Sequence, residues 1–547
     1  MSHLRYVRHL AIAFIPDPVW RTVLGWLVGM LAIGFALSLV VQTVRPLDQP
    51  WGRANALARE GKLDEAEQAY WTYAQTQTPT IPFLYAFLEH HHQLNKIATS
   101  VRESGLDTGS YSARFVVPES DLDAWLARPQ TAENVRVIGQ FWRSFLVHEN
   151  NTDFMAIEKA ANDLPPMPWA NNALGRAQLA MHNNASAAAY YFRESNIPNG
   201  NVVDRGRALA LWVELHEWES LRLALAAHPR PVYPRFRREL AVHDHRWIAA
   251  AGWSLLSIFV ESRPAPLALA GISALMWLLF SMTLGKGKEA NRWLVYLTAF
   301  VLGVLSIVPT DIVIALEDQL GFVQKADAAA DLVYYVVGVG AREELCKALL
   351  FVPLIPWLKK RGSSALEVLV SGALIGLGFA AVENVNYYLS LEKSVALTRF
   401  VTANFFHMAL TAVCAKALYD LIALRKEAAA AINPIGIMIL VHGLYDYLLS
   451  TPIFEGVGYL SMAAFIVLAH YFFARIDEAR GRPEPDMLLV RRFAQALGVV
   501  SASALVATSL ELGATTAFAE LLLSFMGVTI VVIMFVRQTK HLSGFSV

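Results

Sequence analysis

Ionisable residues interrupt four otherwise apolar stretches in the second half of the chain. A charged side chain at the centre of a bilayer costs about 2.5–3.5 kcal/mol on insertion scales. Such residues are therefore retained where they pair with one another or carry out chemistry. In chain order they are Glu343, Glu344 and Lys347, then Glu383, then Arg399 and His407, and finally His442 and Asp446.

The spacing within two of these stretches predicts defined side-chain pairs. Glu343 and Lys347 are four residues apart and Glu344 and Lys347 are three apart, so on a helix these pairs share a face. His442 and Asp446 are also four residues apart, so the carboxylate can accept a hydrogen bond from one imidazole nitrogen and fix the tautomer. The other nitrogen is then available to a metal, a water or an oxyanion.

A cluster of glutamates and histidines can activate water by two routes. A buried carboxylate can act as a general base while histidines donate hydrogen bonds to a tetrahedral oxyanion. Alternatively, histidine nitrogens and a glutamate oxygen can hold Zn²⁺ at about 2.0–2.2 Å, with another glutamate left as the base. Neither route needs a serine or cysteine nucleophile, and the two cysteines, Cys346 and Cys414, are interpreted as small buried hydrophobes.

The elements that must position these residues are membrane-spanning helices. The chain has 547 residues, of which 55% are hydrophobic and 17% are charged. Because an average soluble domain is about 25% charged, this composition excludes a wholly soluble, disordered or fibrous protein. The 46 lysines and arginines balance 46 aspartates and glutamates, so no global basic field is available and no nucleic acid partner is expected.

Ten stretches are long and apolar enough to cross a bilayer, which takes about 20 residues as a helix. They are Val23–Val41, Ala265–Leu284, Trp293–Val313, Leu332–Leu358, Leu366–Leu389, Phe400–Leu424, Ile432–Leu449, Val457–Ala474, Phe493–Leu512 and Thr516–Val536. The third contains Pro309, and the last two are separated by a link so short that one re-entrant pair is an alternative. The short apolar stretch Ser254–Val260 is predicted to be an interfacial helix.

Basic residues at the ends of these spans predict the orientation of the chain. Lysine and arginine accumulate on the cytoplasmic side of a membrane. Clusters precede the first span and follow every second span, so all of them face the cytoplasm if both termini do. They comprise Arg5, Arg8 and Arg21; Lys286, Lys288 and Arg292; Lys359, Lys360 and Arg361; Arg425 and Lys426; Arg475, Arg480, Arg482, Arg491 and Arg492; and Arg537 and Lys540.

This orientation places residues 46–247 outside the cytoplasm of a multi-pass protein of the cell (inner) membrane. The first span is predicted to be an uncleaved signal anchor, because its apolar stretch exceeds the length of a signal-peptide core. Counting about 1.5 Å per residue from the outer end of each span places the ionisable groups in the outer half of the membrane.

Residues 46–247 are polar and are predicted to be helical throughout. Residues 54–79 and 169–198 share small residues at a helix crossing and an aromatic residue one turn later, and a third pair is a candidate at 206–229. The period resembles the tetratricopeptide repeat (TPR) of 34 residues. Such repeats form a concave surface for a peptide or protein partner, and a helical spacer without a ligand is the alternative. His90, His91 and His92 are interpreted as surface residues.

Four motifs in order resemble the PrsW family of intramembrane proteases, which is related to the CAAX-processing and bacteriocin-processing membrane proteases. The motifs are EExxK (Glu343, Glu344, Lys347), FxxxE (Phe379, Glu383), R…H (Arg399, His407) and HxxxD (His442, Asp446). The resemblance covers about residues 265–475. It implies hydrolysis of a peptide bond in a membrane-anchored, anti-sigma-factor-like substrate on its extracytoplasmic side, as part of a signalling pathway.

The resemblance also implies a role for each site residue. Glu343 or Glu344 would be the water-activating base, His407 a second polariser or ligand, and His442 a metal ligand or oxyanion stabiliser oriented by Asp446. Glu383 would be an additional carboxylate, while Lys347 and Arg399 would compensate charge. The predicted metal ligands are Glu383, His407 and His442. Because the family has been called metalloprotease-like while its wider relatives resemble glutamate-type proteases, the need for Zn²⁺ stays open.

The predicted fold class is an all-α polytopic membrane helix bundle of about ten spans with a helical repeat-like domain between the first two. The predicted domains are the N-terminus and anchor (1–45), the extracytoplasmic helical domain (46–247), the protease core (265–475), and a cytoplasmic loop with two C-terminal spans (476–547). A non-catalytic receptor or scaffold that binds partners through the repeats is the main alternative, and a proton-coupled transporter is another.

Overall fold

A computed structural model describes most of the chain. The described residues are 17–44, 51–59, 61–104, 116–129, 131–148, 151–227, 233–285, 291–325, 327–390, 395–451, 459–481 and 487–544. All regular structure within these ranges is helical. Of the basic residues used above to predict the orientation, Arg5, Arg8, Lys286, Lys288 and Arg482 lie outside them.

The chain divides into two compact units. The first, here called the membrane unit, comprises Met1–Gln42 and His245–Val547, and the second, the helical unit, comprises Thr43–Asp244. The first helix of the chain, α1, is Pro18–Val44. The unit boundary therefore falls near the end of α1 and just before the apolar helices of the second half of the chain.

Eleven short to medium helices build the described part of the helical unit. They are α2 (Gly52–Arg59), α3 (Leu63–Thr76), α4 (Ile81–Ser104), α5 (Glu119–Leu126), α6 (Glu133–His148), α7 (Met155–Asn162), α8 (Ala170–Ala180), α9 (Asn184–Glu194), α10 (Asp204–Glu214), α11 (Trp218–Ala226) and α12 (Pro234–His243). Consecutive helices pack as pairs, and a Cβ at Gly175 of α8 would lie 2.8 Å from the ring of Tyr191 of α9. This is the small-residue and aromatic pattern noted in the sequence, and the TPR-like character of the unit stays a prediction.

The interpretation of the adjacent histidines as surface residues is wrong for His90 and His91, which are 8% and 4% exposed. The Nδ1 atom of His91 lies 2.6 Å from Oε1 of the buried Glu67 on α3, and its Nε2 atom lies 3.2 Å from Oε1 of Glu119 on α5. Adjacent histidines do point in different directions, but α4 is covered by neighbouring helices on more than one side. His91 therefore bridges two carboxylates inside the helical unit.

The bridge makes the stability of α4 depend on pH. Burial by itself lowers the pKa of His91, but the hydrogen bonds to Glu67 and Glu119 outweigh burial and raise the pKa above its ordinary value. A histidine whose pKa is raised on folding stabilises the fold below its unfolded pKa of about 6.5, and this contribution is lost as pH rises through the folded pKa. We therefore expect the hydrogen-exchange protection of α4, corrected for intrinsic rates, to fall as the pH rises through the folded-state pKa of His91.

His91→Gln should remove most of this pH dependence and cost about 1–3 kcal/mol at pH 6, because Glu67 loses a buried partner. His148→Gln is the matched control, since His148 is exposed at the end of α6. Protection of α4 that is equal in both variants, or independent of pH in the unsubstituted protein, would contradict the expectation.

The membrane unit continues with longer and more apolar helices. They are α13 (Trp247–Val260), α14 (Pro264–Leu284), α15 (Arg292–Leu305), α16 (Ile307–Gln319), α17 (Ala328–Val333), α18 (Arg342–Phe351), α19 (Ile355–Lys360), α20 (Ala365–Ser390), α21 (Val395–Val401), α22 (Ala403–Ile422), α23 (Ala429–Ser450), α24 (Tyr459–Arg480), α25 (Leu488–Leu512) and α26 (Ala514–Leu542). A π-helix, Tyr334–Ala341, joins α17 to α18, and a 3₁₀ turn, Val352–Leu354, joins α18 to α19.

Nine helices among the described residues are long and apolar enough to cross a membrane, against ten predicted spans. The predicted span that is not among these nine helices is Leu332–Leu358. Its residues form several consecutive helical segments and carry four charged side chains. The predicted span with Pro309 is confirmed as Arg292–Gln319, but it breaks at Ser306, which places the proline in the first turn of α16, where its missing N–H is tolerated. The last two helices are each long enough to span, so nothing requires the re-entrant alternative.

Two glycines let α20 lie in backbone contact with both of its neighbours. A Cβ at Gly376 would be 2.2 Å from the carbonyl oxygen of His407 on α22, and one at Gly378 would be 2.2 Å from that of Phe300 on α15. Because Cβ atoms do not approach other atoms this closely, only glycine permits the contact. The middle of α20 is buried as a result, and the helices that carry the ionisable residues are held together.

Candidate active site

The glutamate pair lies where a π-helix changes to an α-helix. Glu343 and Glu344 occupy the first turn of α18, directly after Tyr334–Ala341. A Cβ at Gly340 would be 2.5 Å from the carbonyl oxygen of Ile439 on α23, so the π-helix and α23 are in backbone contact. π-helical turns are rare and occur often at functional sites. Here the π-helix ends just before Glu343 and Glu344, the two glutamates that the sequence predicts to be site residues.

Lys347 is the centre of the polar cluster. Its side chain is fully buried, and its Nζ atom donates to Oε2 of Glu343 at 3.2 Å, to Oε1 of Glu344 at 2.9 Å and to Nδ1 of His407 at 2.9 Å. The same ammonium lies 4.0 Å from the ring centre of Phe379, which adds a cation–π contact. One cation therefore joins α18, α20 and α22.

Glu344 is enclosed by hydrogen-bond donors. Besides the lysine, its Oε1 atom accepts from Nδ1 of His442 at 2.9 Å, and its Oε2 atom accepts from the hydroxyl of Thr411 at 3.1 Å. No part of its side chain is exposed. Glu343 differs from it, because its side chain is 11% exposed and its one hydrogen bond among the described residues is to Lys347. The two adjacent glutamates thus have different environments.

The partners of the two histidines determine opposite tautomers. His407 accepts from Lys347 at Nδ1, so its Nε2–H donates to Oε2 of Glu383 at 3.0 Å. His442 donates from Nδ1 to Glu344, and its Nε2 atom then faces two carboxylate oxygens, 3.6 Å from Glu343 and 3.4 Å from Asp446. A lone pair facing two carboxylates is unfavourable. The arrangement therefore requires a proton on this nitrogen or a cation beside it.

A second polar chain leads from Glu383 towards α14. Arg399 on α21 donates from Nη2 to Glu383 at 2.9 Å and from Nε to Oδ1 of Asn384 at 2.5 Å. Asn384 donates to Asn404 at 2.6 Å, and Asn404 donates to the hydroxyl of Ser273 at 2.7 Å. These groups fix the guanidinium and, through it, the orientation of Glu383.

All eight residues predicted from the sequence belong to this one cluster, which is built from α18, α20, α21, α22 and α23. The sequence analysis assigned no role to Thr411 or Ser273. Thr411 lies one turn after His407 on the same helix face, which is the signal that points to it. Ser273 carries no such signal, since it is a lone serine in an apolar helix.

The balance of charge in the cluster leaves room for a cation. The cluster contains four carboxylates, one lysine and one arginine, so the excess is two negative charges when both histidines are neutral. One ligand atom each from Glu343, His407 and His442 lies within 4.8 Å of the others. Two imidazole nitrogens and a carboxylate oxygen are a donor set that suits Zn²⁺ with an open position.

This candidate metal set differs from the predicted one in a single member. Glu343 takes the place of Glu383, which is bound by Arg399 and His407 instead. The most exposed side chains of the cluster are Asp446 at 29% and Glu383 at 23%, whereas Glu344 and Lys347 are enclosed. The cluster is therefore open on the Glu383 and Asp446 side and closed behind Glu344.

Residues 291–472 match a family model described as PrsW family intramembrane metalloprotease. No match was found among curated proteins or among solved structures. The matched region contains every residue of the cluster except Ser273, and the nine apolar helices agree with a multi-pass membrane protein. Residues 291–472 are therefore similar to the PrsW family of intramembrane metalloproteases.

Proposed function

We propose that the chain hydrolyses a peptide bond of a membrane-anchored protein near the outer half of the bilayer, with water activated by glutamate and histidine. The observation that carries this proposal is the convergence of Glu343, His407 and His442, on three apolar helices, within 4.8 Å of one another. Three titratable groups of this kind are costly to bury. Their grouping supports a hydrolytic site rather than a set of unrelated structural pairs.

Glu343 is the proposed general base. It is the more exposed of the two glutamates, and its Oε2 atom lies 3.2 Å from Nζ of Lys347. Its carboxylate takes a proton from water as the water oxygen attacks the scissile carbonyl carbon. When the carbon–nitrogen bond breaks, the same carboxyl group returns a proton to the leaving amine.

Glu344 is proposed as a positioning residue rather than the base. Both of its oxygens already accept hydrogen bonds, from Lys347 and His442 on one and from Thr411 on the other. Its contact with Nδ1 directs the Nε2 atom of His442 towards Glu343 and Asp446. A protonated Nε2 there can donate to the oxyanion that forms as water attacks.

The residues also fit a metal-assisted version of the reaction, in which His407 would exchange its hydrogen bond with Lys347 or with Glu383 for a bond to the ion. Glu343, His407 and His442 would hold the ion, and Glu344 would orient His442 from behind, as carboxylates commonly do for metal-bound histidines. A bound Zn²⁺ would supply Lewis-acid polarisation and a more acidic water. In that case Glu383, next to His407, is the nearest remaining carboxylate that could serve as the base.

The substrate class follows from where the cluster lies along its helices. Glu383 is seven residues before the end of α20 and His442 is eight before the end of α23, or about 10–12 Å. When the segmented helical stretch 328–360 is counted as a tenth crossing, both termini are cytoplasmic and both of these ends face outward. The proposed substrate is therefore a single-span, anti-sigma-factor-like protein cut on its extracytoplasmic side, and the proposed location is the cell (inner) membrane.

Cleavage in liposomes tests the proposal. Purified protein should cut single-span substrates. Glu343→Gln should lower the rate by about 10²–10⁴-fold, because the neutral side-chain amide of glutamine cannot take the proton from water. Glu344→Gln should retain more activity than Glu343→Gln. Glu520→Gln is the matched control, since Glu520 lies on α26 outside the cluster. Equal losses in all three variants, or cutting by Glu343→Gln at the original rate, would refute the assignment.

Metal analysis separates the two routes. If the ion is required, purified protein should hold about one zinc per chain, and Glu343→Gln and His442→Ala should each lose it. His470→Ala, on an exposed position of α24, should keep it. A chelator should then abolish cleavage and added zinc should restore it. Full activity in metal-free protein would instead assign the enzyme to the glutamate type.

The helical unit is proposed to recruit the substrate or to sense an external signal, and its helix pairs offer a surface for a peptide or protein partner. Deletion of residues 50–245 with α1 retained should therefore lower cleavage of a full-length substrate or abolish its response to the signal. A short peptide substrate should be cut as before. Unchanged cleavage and unchanged response would reject this role.

A further inference from the structure

A groove lies between α1 and α25, near the end where both helices begin. Its volume is about 510 Å³, and the residues that matter here are Arg21, Gly25, Trp26, Gly29, Ile33 and Arg491. Neither the catalytic cluster nor the matched family region includes this part of the chain. The groove therefore needs an explanation separate from proteolysis.

The packing of the two helices defines the direction of the groove. A Cβ at Gly498 would lie 2.9 Å from Cγ of Met30, and one at Gly34 would lie 3.0 Å from Cα of Ala502. Both contacts advance in the same direction along the two helices, so α1 and α25 run parallel. Arg21 and Arg491 precede these contacts on their helices, so they stand together at one end of the groove.

Apart from Thr22, the rest of the groove is lined by apolar residues and is open. A Cβ at Gly25 or at Gly29 would meet nothing within 4 Å, whereas Trp26 and Ile33 are exposed beside them. Arg21 and Ile33 are twelve residues apart, which is about 18 Å along a helix. Since the hydrocarbon core of a bilayer is about 30 Å thick, the groove is about as long as one leaflet is deep.

We propose that this groove binds one anionic phospholipid. Its phosphate would lie between Arg21 and Arg491, and one acyl chain would follow Gly25 and Gly29 towards Ile33. Guanidinium groups bind phosphate oxygens with two parallel hydrogen bonds, and basic pockets between spans favour anionic headgroups.

A second copy of the chain fits the groove less well. Pairing of two chains through Gly25 and Gly29 would resemble a small-residue helix dimer. In a parallel pair, however, Arg21 and Arg491 of one chain would approach the same arginines of the other. Four positive charges at one end of the interface would repel, whereas a phosphodiester neutralises them. Charge complementarity therefore favours the lipid.

Native mass spectrometry of the full chain tests the proposal. Protein released from nanodiscs with equal phosphatidylglycerol and phosphatidylethanolamine should retain one phosphatidylglycerol. In the double variant Arg21→Gln/Arg491→Gln, the preference for phosphatidylglycerol over phosphatidylethanolamine should fall at least about tenfold. Gly25→Leu should lower retention of either lipid, because its side chain fills the groove. Arg492→Gln and Gly527→Leu are the matched controls, since neither residue lines the groove.

Three results would overturn the proposal. One is equal retention of both lipids by the unsubstituted protein, which would indicate only the surrounding bilayer. Another is a preference that survives in the double arginine variant. The third is a chain dimer that Gly25→Leu disrupts while lipid retention is unchanged. If Gly25→Leu fails to fold, the arginine variant decides alone, because it leaves the helix contact at Gly498 intact.

Discussion

The buried ammonium of Lys347 makes the contacts on which the candidate active site depends. Two glutamates and a histidine contact it directly, and it lies against the ring of Phe379. In an apolar helix bundle an unpaired carboxylate would be neutralised or excluded. The lysine balances part of the negative charge of the two glutamates, and removing one member of such a buried pair typically costs about 3–5 kcal/mol. The proposed catalytic groups and the cations that balance their charge thus belong to one cluster.

Backbone contact brings that lysine close enough to reach three helices. Gly376 lets α20 touch α22, and Gly340 lets the π-helix touch α23. Ordinary side chains at these positions would separate the helices, and the hydrogen bonds across the cluster would be lost. Lipid supplies no hydrophobic force to hold helices together, so close packing by small residues and polar contacts must do so. The cluster therefore depends on the glycines as well as on the ionisable residues.

The same physical rule appears in both units of the chain. In the helical unit, the buried Glu67 is stabilised by a hydrogen bond with His91, and His91 also contacts Glu119. In the membrane unit, the buried Glu344 is stabilised by hydrogen bonds from Lys347 and His442. In the first case the carboxylate is held inside a fold, whereas in the second the adjacent Glu343 stays partly exposed. Both clusters contain a buried glutamate, and they differ in that Glu344 has a partly exposed glutamate, Glu343, next to it.

The sequence by itself determined the helical fold class and the set of ionisable residues, because apolar length and the cost of burying charge are local properties. Glu343, Lys347, His442 and Asp446 could be paired from spacing alone. Tertiary structure decided what spacing cannot show: that Glu344 is enclosed, that Glu343 replaces Glu383 in the candidate metal set, and that His91 is buried. These depend on which helices become neighbours, and that is set by contacts between residues far apart in the chain.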